Sequence, residues 1–153
     1  MKKLFIALVI SLCVATSSWA TYTGNITGGT TLIGTGDWGG AELSWSVSYS
    51  NNSWVYNYTF SALEKAISHM IFEVSSTFTT DNILVGTTAG YLLGTYDSSN
   101  GNPGMPGSIT GLKWDMGGTS TTETITIVTD RAPMWGDFYA KDGVSQGEFV
   151  YAY

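Results

Sequence analysis

The sequence predicts an all-β fold, an antiparallel β-sandwich of the jelly-roll or immunoglobulin-like kind with about eight to ten short strands. Three observations support this prediction. Apolar and polar residues alternate in several short segments, clusters of Gly, Asn and Ser separate those segments, and no long segment has the 3.6-residue period of a helix.

The strongest local pattern is a β-hairpin in the first half of the chain. Residues 42–50 read ELSWSVSYS and residues 54–60 read WVYNYTF, so in each segment aromatic and aliphatic residues occupy one face. A period of two residues is typical of a strand with one buried face. The residues between them, Asn51-Asn52-Ser53, favour a tight turn. The sequence therefore predicts two paired strands here.

Further strands are predicted along the rest of the chain. Gly117 to Ser120 lies between two of them and is a second hairpin candidate. Residues 21–35 contain several glycines and favour one or two edge strands. No linker divides residues 21–153, which are predicted to form one domain. The remaining strand candidates are 69–75, 82–85, 109–116, 122–130, 134–140 and 148–153.

Residues 1–20 are typical of a cleaved secretory signal peptide. Lys2 and Lys3 give a positive start, an apolar stretch follows, and Ser18 and Ala20 place small residues three before and one before a cut. The apolar stretch is shorter than the roughly 20 residues of a membrane-spanning helix. We therefore expect export through a cleavable signal, to the exterior or surface of a Gram-negative bacterium, with no membrane insertion afterwards.

The composition after residue 20 excludes several classes of function. The one cysteine, Cys13, lies within the signal segment, so no disulfide and no thiolate chemistry is expected. Four basic residues remain against 12 acidic ones, a formal charge of −8. Such a chain offers no basic patch to nucleic acid or anionic lipid, and neither is expected as a partner.

Catalysis has few candidates in this sequence. His69 is the one histidine, and no nucleophile-elbow motif accompanies it, so a serine hydrolase is not expected. A single histidine without cysteine also argues against a zinc site. A glycosidase would need two facing carboxylates, for which Asp115 and Asp137 are the first pair considered. We expect no enzymatic activity.

Two groups of residues are candidates for ligand binding. Trp38, Trp114 and Trp135 lie near turns or glycines and could stack on the flat faces of sugars, whereas the strand positions of Trp45 and Trp54 favour core packing. No cofactor is expected except a structural calcium ion, since oxygen-rich loops suit that cation. The calcium candidates are Asp97, Asn100 and Asn102 in the long loop 97–108, and Asp137 and Asp142 near Gly136 and Gly143.

Three segments together resemble a known group of proteins. They read HMIFEV (69–74), NPGMPGSITGLKWD (102–115) and DRAPMWGDFYAKDG (130–143). They resemble the exported domain of bacterial PEP-CTERM proteins, and this resemblance implies a component of the cell surface or exopolysaccharide matrix. The sorting tail of that group, a Pro-Glu-Pro motif with an apolar helix and a basic end, is not found in this sequence, which ends at Tyr153.

These observations lead to a ranked functional expectation. The first is a secreted, non-catalytic surface or matrix protein whose partner is a polysaccharide or another surface protein. The alternative is a carbohydrate-binding module that uses exposed Trp and Tyr rings. A glycan-acting enzyme is a third possibility. Because the sequence ends inside a predicted strand, self-association through an open strand edge is also expected.

The signal-peptide interpretation makes a direct prediction. The exported protein should begin at Thr21, as read by N-terminal sequencing or intact mass. Ala20→Phe should block cleavage, because signal peptidase needs a small residue there, whereas Thr21→Ser should leave cleavage intact. A mature protein that retains residues 1–20 would contradict the interpretation.

Overall fold

The computed structural model describes residues 21–29, 31–99, 101–143 and 149–153. Residues 1–20, predicted as a signal peptide, and the calcium candidate Asn100 lie outside the described residues. Within them, no helix is long and apolar enough to cross a membrane. The strands are β1 (Thr21–Thr27), β2 (Glu42–Ser50), β3 (Ser53–Ser61), β4 (Ile67–Glu73), β5 (Tyr91–Tyr96), β6 (Ile109–Asp115), β7 (Thr122–Thr129), β8 (Phe138–Asp142) and β9 (Tyr151–Ala152).

The strands form two antiparallel sheets packed as a sandwich, which confirms the predicted fold class. The first sheet has the order β1-β2-β3-β7 and the second the order β5-β6-β4-β8-β9. All named pairs are antiparallel. The alternating apolar residues of each sheet face the other sheet, because that arrangement removes both apolar faces from water.

The predicted hairpin is confirmed as β2 and β3. Asn51 (φ 51°) and Asn52 (φ 60°) both occupy the left-handed region, as a two-residue hairpin turn requires. The turn sets a register in which Val47 lies opposite Tyr56. Since side chains alternate along a strand, this register puts the apolar residues of both strands on the same inner face.

The strand predictions differ from the structure in several places, among them 134–140, where the strand begins only at Phe138. The Gly117–Ser120 turn does not join a hairpin, because β6 belongs to one sheet and β7 to the other. Residues 82–85 form no strand: a short 3-10 helix, Thr80–Asn82, leads into an isolated bridge between Ile83 and Thr129. Strand β5 was not predicted, since its sequence YLLGTY has little alternation and is interrupted by Gly94.

Aromatic side chains fill the space between the sheets. Phe60 contacts the Trp38 ring at 5.2 Å and the Phe138 ring at 5.3 Å between centroids, and Phe138 lies 5.1 Å from Phe72. Each of these rings is at least nine-tenths buried. Burial of such large apolar surfaces is the main stabilising contribution in a chain that has no cysteine after residue 20.

The sheet edges differ in how they are covered. The outer edge of β7 accepts backbone hydrogen bonds from Leu84 and Thr88. The last strand, β9, is bonded on its outer side through Tyr153 to Ile33. The expected self-association stays a prediction. Among the described residues, β1 pairs with β2 alone and forms the uncovered edge of the four-stranded sheet.

Two leucines test the packing account. Leu112 in β6 is fully buried, whereas Leu63 is 69% exposed. Leu112→Ala should lower the free energy of unfolding by about 2–5 kcal/mol, because it leaves a cavity in the core. Leu63→Ala should change it by less than about 0.5 kcal/mol. Urea denaturation measures both, and equal losses would contradict the assigned core.

Candidate functional site

A cleft of about 920 Å³ opens on the β1 side of the sandwich. It exists because β8 begins only at Phe138, so the irregular residues before it cover the inner faces of β2 and β3 incompletely. The floor is apolar and the rim carries hydroxyl and carboxylate groups. The cleft is lined by Thr21, Tyr22, Thr23, Ile26, Thr31, Leu43, Trp45, Val47, Tyr56, Tyr58, Phe72, Glu73, Pro133, Met134, Trp135, Gly136, Asp137, Phe138 and Tyr153.

Trp135 projects into the mouth of this cleft and is 86% exposed. The backbone beside it is fixed to β4, since Asp137 donates its N–H to Glu73 Oε2 at 2.7 Å. Gly136 allows this approach, because a Cβ there would lie 3.1 Å from the Glu73 side chain. Pro133, which has no N–H to give to a sheet, precedes the segment. The ring is therefore presented by an anchored segment.

Trp45 forms the wall next to Trp135. The two rings meet edge-to-face, with centroids 6.0 Å apart and planes at 88°. On its other side the Trp45 ring covers Gly24 of β1, where a Cβ would overlap it. The ring is only partly buried, although its place on the apolar face of β2 indicated core packing. It belongs to both the core and the cleft.

Trp38 and Trp114 are not binding platforms. Their exposed fractions are 0% and 2%, and neither lines the cleft. Each indole satisfies its polar group internally: Trp38 Nε1 donates to the Glu64 carbonyl at 2.7 Å, and Trp114 Nε1 donates to the Thr88 carbonyl at 3.0 Å. With both ring faces packed, no sugar can stack on them, so Trp135 alone of the three candidates is available.

The loop candidates for calcium carry hydrogen bonds of their own. Asp97 Oδ1 accepts from the backbone N–H of Ser99 at 2.8 Å. The Asn102 side chain is fully buried, bonded through Oδ1 to His69 Nε2 at 2.8 Å and through Nδ2 to the Asp97 carbonyl at 2.9 Å. Asn100 lies outside the described residues. The Asn102 Oδ1 atom, the Asp97 Oδ1 atom and the Asp97 carbonyl oxygen are therefore engaged in hydrogen bonds within the protein.

The second calcium pair is separated in space. Asp137 precedes β8 and Asp142 ends it, so the two are about 16 Å apart along an extended strand. The buried Asp142 lies instead beside a cation, with Lys65 Nζ 3.8 Å from Oδ2. In the described ranges no three or more His, Cys, Asp or Glu side chains form a group able to hold a metal ion.

The carboxylate pair considered for hydrolysis is also separated. Asp115 lies opposite His69 at one end of β4, whereas Asp137 lies beside Glu73 at the other end. Four residues of strand place these ends about 13 Å apart, beyond the separation that glycosidases use. The structure brings Asp137 together with Glu73 instead, and both line the cleft. Glu73 was among the carboxylates available in the sequence, but the sequence could not show that it lies beside Asp137.

Comparison of the chain with protein-family models, curated proteins and solved structures finds no match. The resemblance to exported PEP-CTERM domains therefore stays a prediction. The fold and the site together define a β-sandwich with an aromatic cleft on its open side, and function must be argued from that cleft.

Residues 101–108 of the long loop are anchored on the outer face of the five-stranded sheet at a few positions. Met105 is buried there in an apolar cluster with Ile71. Tyr139 donates its hydroxyl to the Pro103 carbonyl at 2.9 Å, and His69 is bonded to Asn102. Because Asn102 Nδ2 is the group that bonds Asp97, its Oδ1 is the acceptor and His69 Nε2 must carry a proton.

This geometry predicts acid sensitivity. Burial lowers the pKa of His69 to about 4, and the neighbouring Lys113 acts in the same direction. Between pH 6.5 and 4 the unfolded chain binds the proton that the folded chain excludes, so stability falls as pH falls. His69 should account for a loss of about 2 kcal/mol between pH 7 and pH 5.

His69→Gln provides the comparison, because its amide can still donate to Asn102 without titrating. Urea denaturation of both proteins at pH 7 and pH 5 measures the difference. The parent should lose about 2 kcal/mol more than the variant. Equal losses would show that His69 is not the group that titrates.

Proposed function

We propose that this chain is an exported, non-catalytic protein of the cell surface or extracellular matrix that binds neutral polysaccharide in the aromatic cleft. One observation carries the proposal: Tyr22, Met134 and Trp135 are each more than half exposed and line the same cleft. Large apolar side chains that are exposed together cost free energy in contact with water, and such patches are typical of binding sites.

The chemistry of the cleft suits a sugar chain. Pyranose rings have apolar C–H faces, which pack on aromatic rings such as Trp135 and Trp45. Their hydroxyl groups project sideways and can bond to the rim, where Thr23, Glu73 and Asp137 provide hydroxyl and carboxylate groups. An apolar floor with a few polar groups at the rim favours this amphipathic kind of ligand.

The charges of the cleft favour a neutral glycan over an acidic one. Its described lining includes two carboxylates, Glu73 and Asp137, and no Lys or Arg. The four basic side chains after residue 20 all have partners elsewhere. The contacts are Lys65 with Asp37 (3.6 Å), Lys113 with Asp115 (2.9 Å), Arg131 with the Thr77 carbonyl (2.8 Å) and Lys141 with the Asp142 carbonyl (2.8 Å).

Glycan hydrolysis is a second candidate, because Glu73 and Asp137 lie together in the cleft. Against it, Glu73 Oε2 accepts the Asp137 N–H, which ties up one carboxylate oxygen in holding the Trp135 segment. Incubation of neutral oligosaccharides with the protein separates the candidates. Release of shorter products that stops with Glu73→Gln would favour hydrolysis, whereas unchanged oligosaccharides favour binding alone.

The binding proposal predicts the effect of removing the exposed ring. Trp135→Ala should weaken binding of a neutral polysaccharide at least tenfold, equivalent to about 1.4 kcal/mol, because the stacking surface is lost. Tyr49→Ala is the matched control, since Tyr49 is also exposed but does not line the cleft. Affinity electrophoresis in polysaccharide gels compares the two variants with the parent.

The same assay includes acidic polysaccharides, and calcium or a chelator. We expect weaker binding of acidic chains, because Glu73 and Asp137 repel them. Retardation that depends on calcium would support the expectation of a bound calcium ion. Equal binding by the parent and Trp135→Ala, or no binding to any neutral polysaccharide, would overturn the proposed function.

A further inference from the structure

We propose that the β1 edge pairs with β1 of a second copy of this chain, antiparallel and about a two-fold axis at Gly24, so that two four-stranded sheets join into one of eight strands. This inference goes beyond the proposed function. It rests on the backbone direction, composition and self-complementary sequence of β1.

The backbone of β1 presents regular hydrogen-bonding groups on its uncovered side. Gly28 donates its N–H to the Ala41 carbonyl at 2.7 Å, and the register with β2 continues without a bulge. Backbone groups alternate in direction along an antiparallel strand. The N–H and C=O groups of the even-numbered residues of β1 therefore point toward β2, and those of Thr23 and Asn25 point away from it. Another β-strand is the partner that matches such a row of groups.

The strand has none of the devices that usually protect an edge. Its sequence TYTGNIT contains no charged residue and no proline, and its described residues form no bulge. Lys, Pro and bulges are the features by which edge strands avoid association. The edge of β5 differs, because Tyr96 turns its hydroxyl back onto the Leu92 carbonyl at 2.8 Å.

The sequence of β1 complements itself across a two-fold axis at Gly24. Thr23 of one copy then lies opposite Asn25 of the other, and the outward backbone groups of both form a hydrogen-bonded pair. On the inner face Tyr22 lies opposite Ile26, an aromatic and β-branched pair of the kind that stabilises sheets. The two Gly24 residues meet at the closely spaced central position, where the missing side chains leave room.

The joined sheet would place the two Trp45 rings, each over its own Gly24, side by side at the interface. Each copy also contributes one cleft. The next consequence alone rests on the proposed function. With one glycan-binding cleft in each copy, the dimer is bivalent and cross-links polysaccharide chains. The dimer itself needs no glycan, so its test is separate from the test of glycan binding.

The test uses the exported protein in light scattering coupled to size exclusion, without glycan. The parent should approach twice the monomer mass as concentration rises. Asn25→Pro, which removes an outward N–H, should weaken association at least tenfold, whereas Asn25→Thr, which keeps the N–H, should not. Circular dichroism should show both variants folded. Because Asn25 does not line the cleft, glycan binding per chain should be retained.

Cysteine cross-linking tests the register and remains informative even if Asn25→Pro fails to fold. The exported chain has no cysteine, so each new thiol is the only one in its chain. The Thr23→Cys and Asn25→Cys variants are oxidised in three samples: each variant alone, and the two together as an equal mixture. The mixture should give far more cross-linked dimer than either alone, because those positions face each other only between different copies. A monomer at all concentrations, no preference for the mixture, or loss of the dimer in Thr95→Lys on the β5 edge would overturn the proposal.

Discussion

The structure depends on a difference between the area of its four-stranded sheet's inner face and the part of that face that the other sheet covers. The inner face of the four-stranded sheet carries aromatic side chains along its whole length, and the opposing sheet covers only part of them. Phe60 is enclosed by Trp38 and Phe138, and Tyr58 packs on Phe72 at 4.4 Å. Trp45 is only partly buried and meets Trp135 edge-to-face at the cleft. The uncovered aromatic surface is the cleft.

The same difference explains why the cleft is held open rather than collapsed. The segment before β8 is tied to β4 by the Glu73 carboxylate, so Trp135 is fixed near the mouth instead of filling the interior. Trp45 packs on Gly24, where the absence of a side chain leaves space for the ring. Gly24, Gly136 and the Glu73 carboxylate thus fix the shape of the cleft. A cleft whose shape is fixed before a ligand arrives lowers the free-energy cost of binding.

Strand alternation was sufficient to predict the class of fold, the first hairpin and most strands, because side-chain period follows directly from strand geometry. It could not predict which sheet a strand joins. The glycine turn after β6 looks like a hairpin, yet positive φ at Gly117 and Gly118 serves equally to pass the chain from one sheet to the other. Tertiary packing makes that choice.

The site was predicted less well than the fold, again for physical reasons. Glycines around Trp38 suggested exposure, but the 3-10 turn Gly36–Trp38 folds the indole into the core. Trp135, the third candidate, is exposed in the cleft, because the predicted strand 134–140 begins only at Phe138. Glu73 could be named only as one of several carboxylates, and Trp45 only as a core residue, because their place in the cleft arises when distant segments meet.

The most direct test of the central claim is an NMR titration of the protein from Thr21 onward with neutral oligosaccharides, followed through the indole Nε1–H signals. Trp38 and Trp114 are internal controls, since their Nε1–H groups are bonded inside the core. The account predicts saturable shifts for Trp135 and Trp45 and none for those two. No indole shift with any neutral glycan, or shifts confined to Trp54, would contradict it.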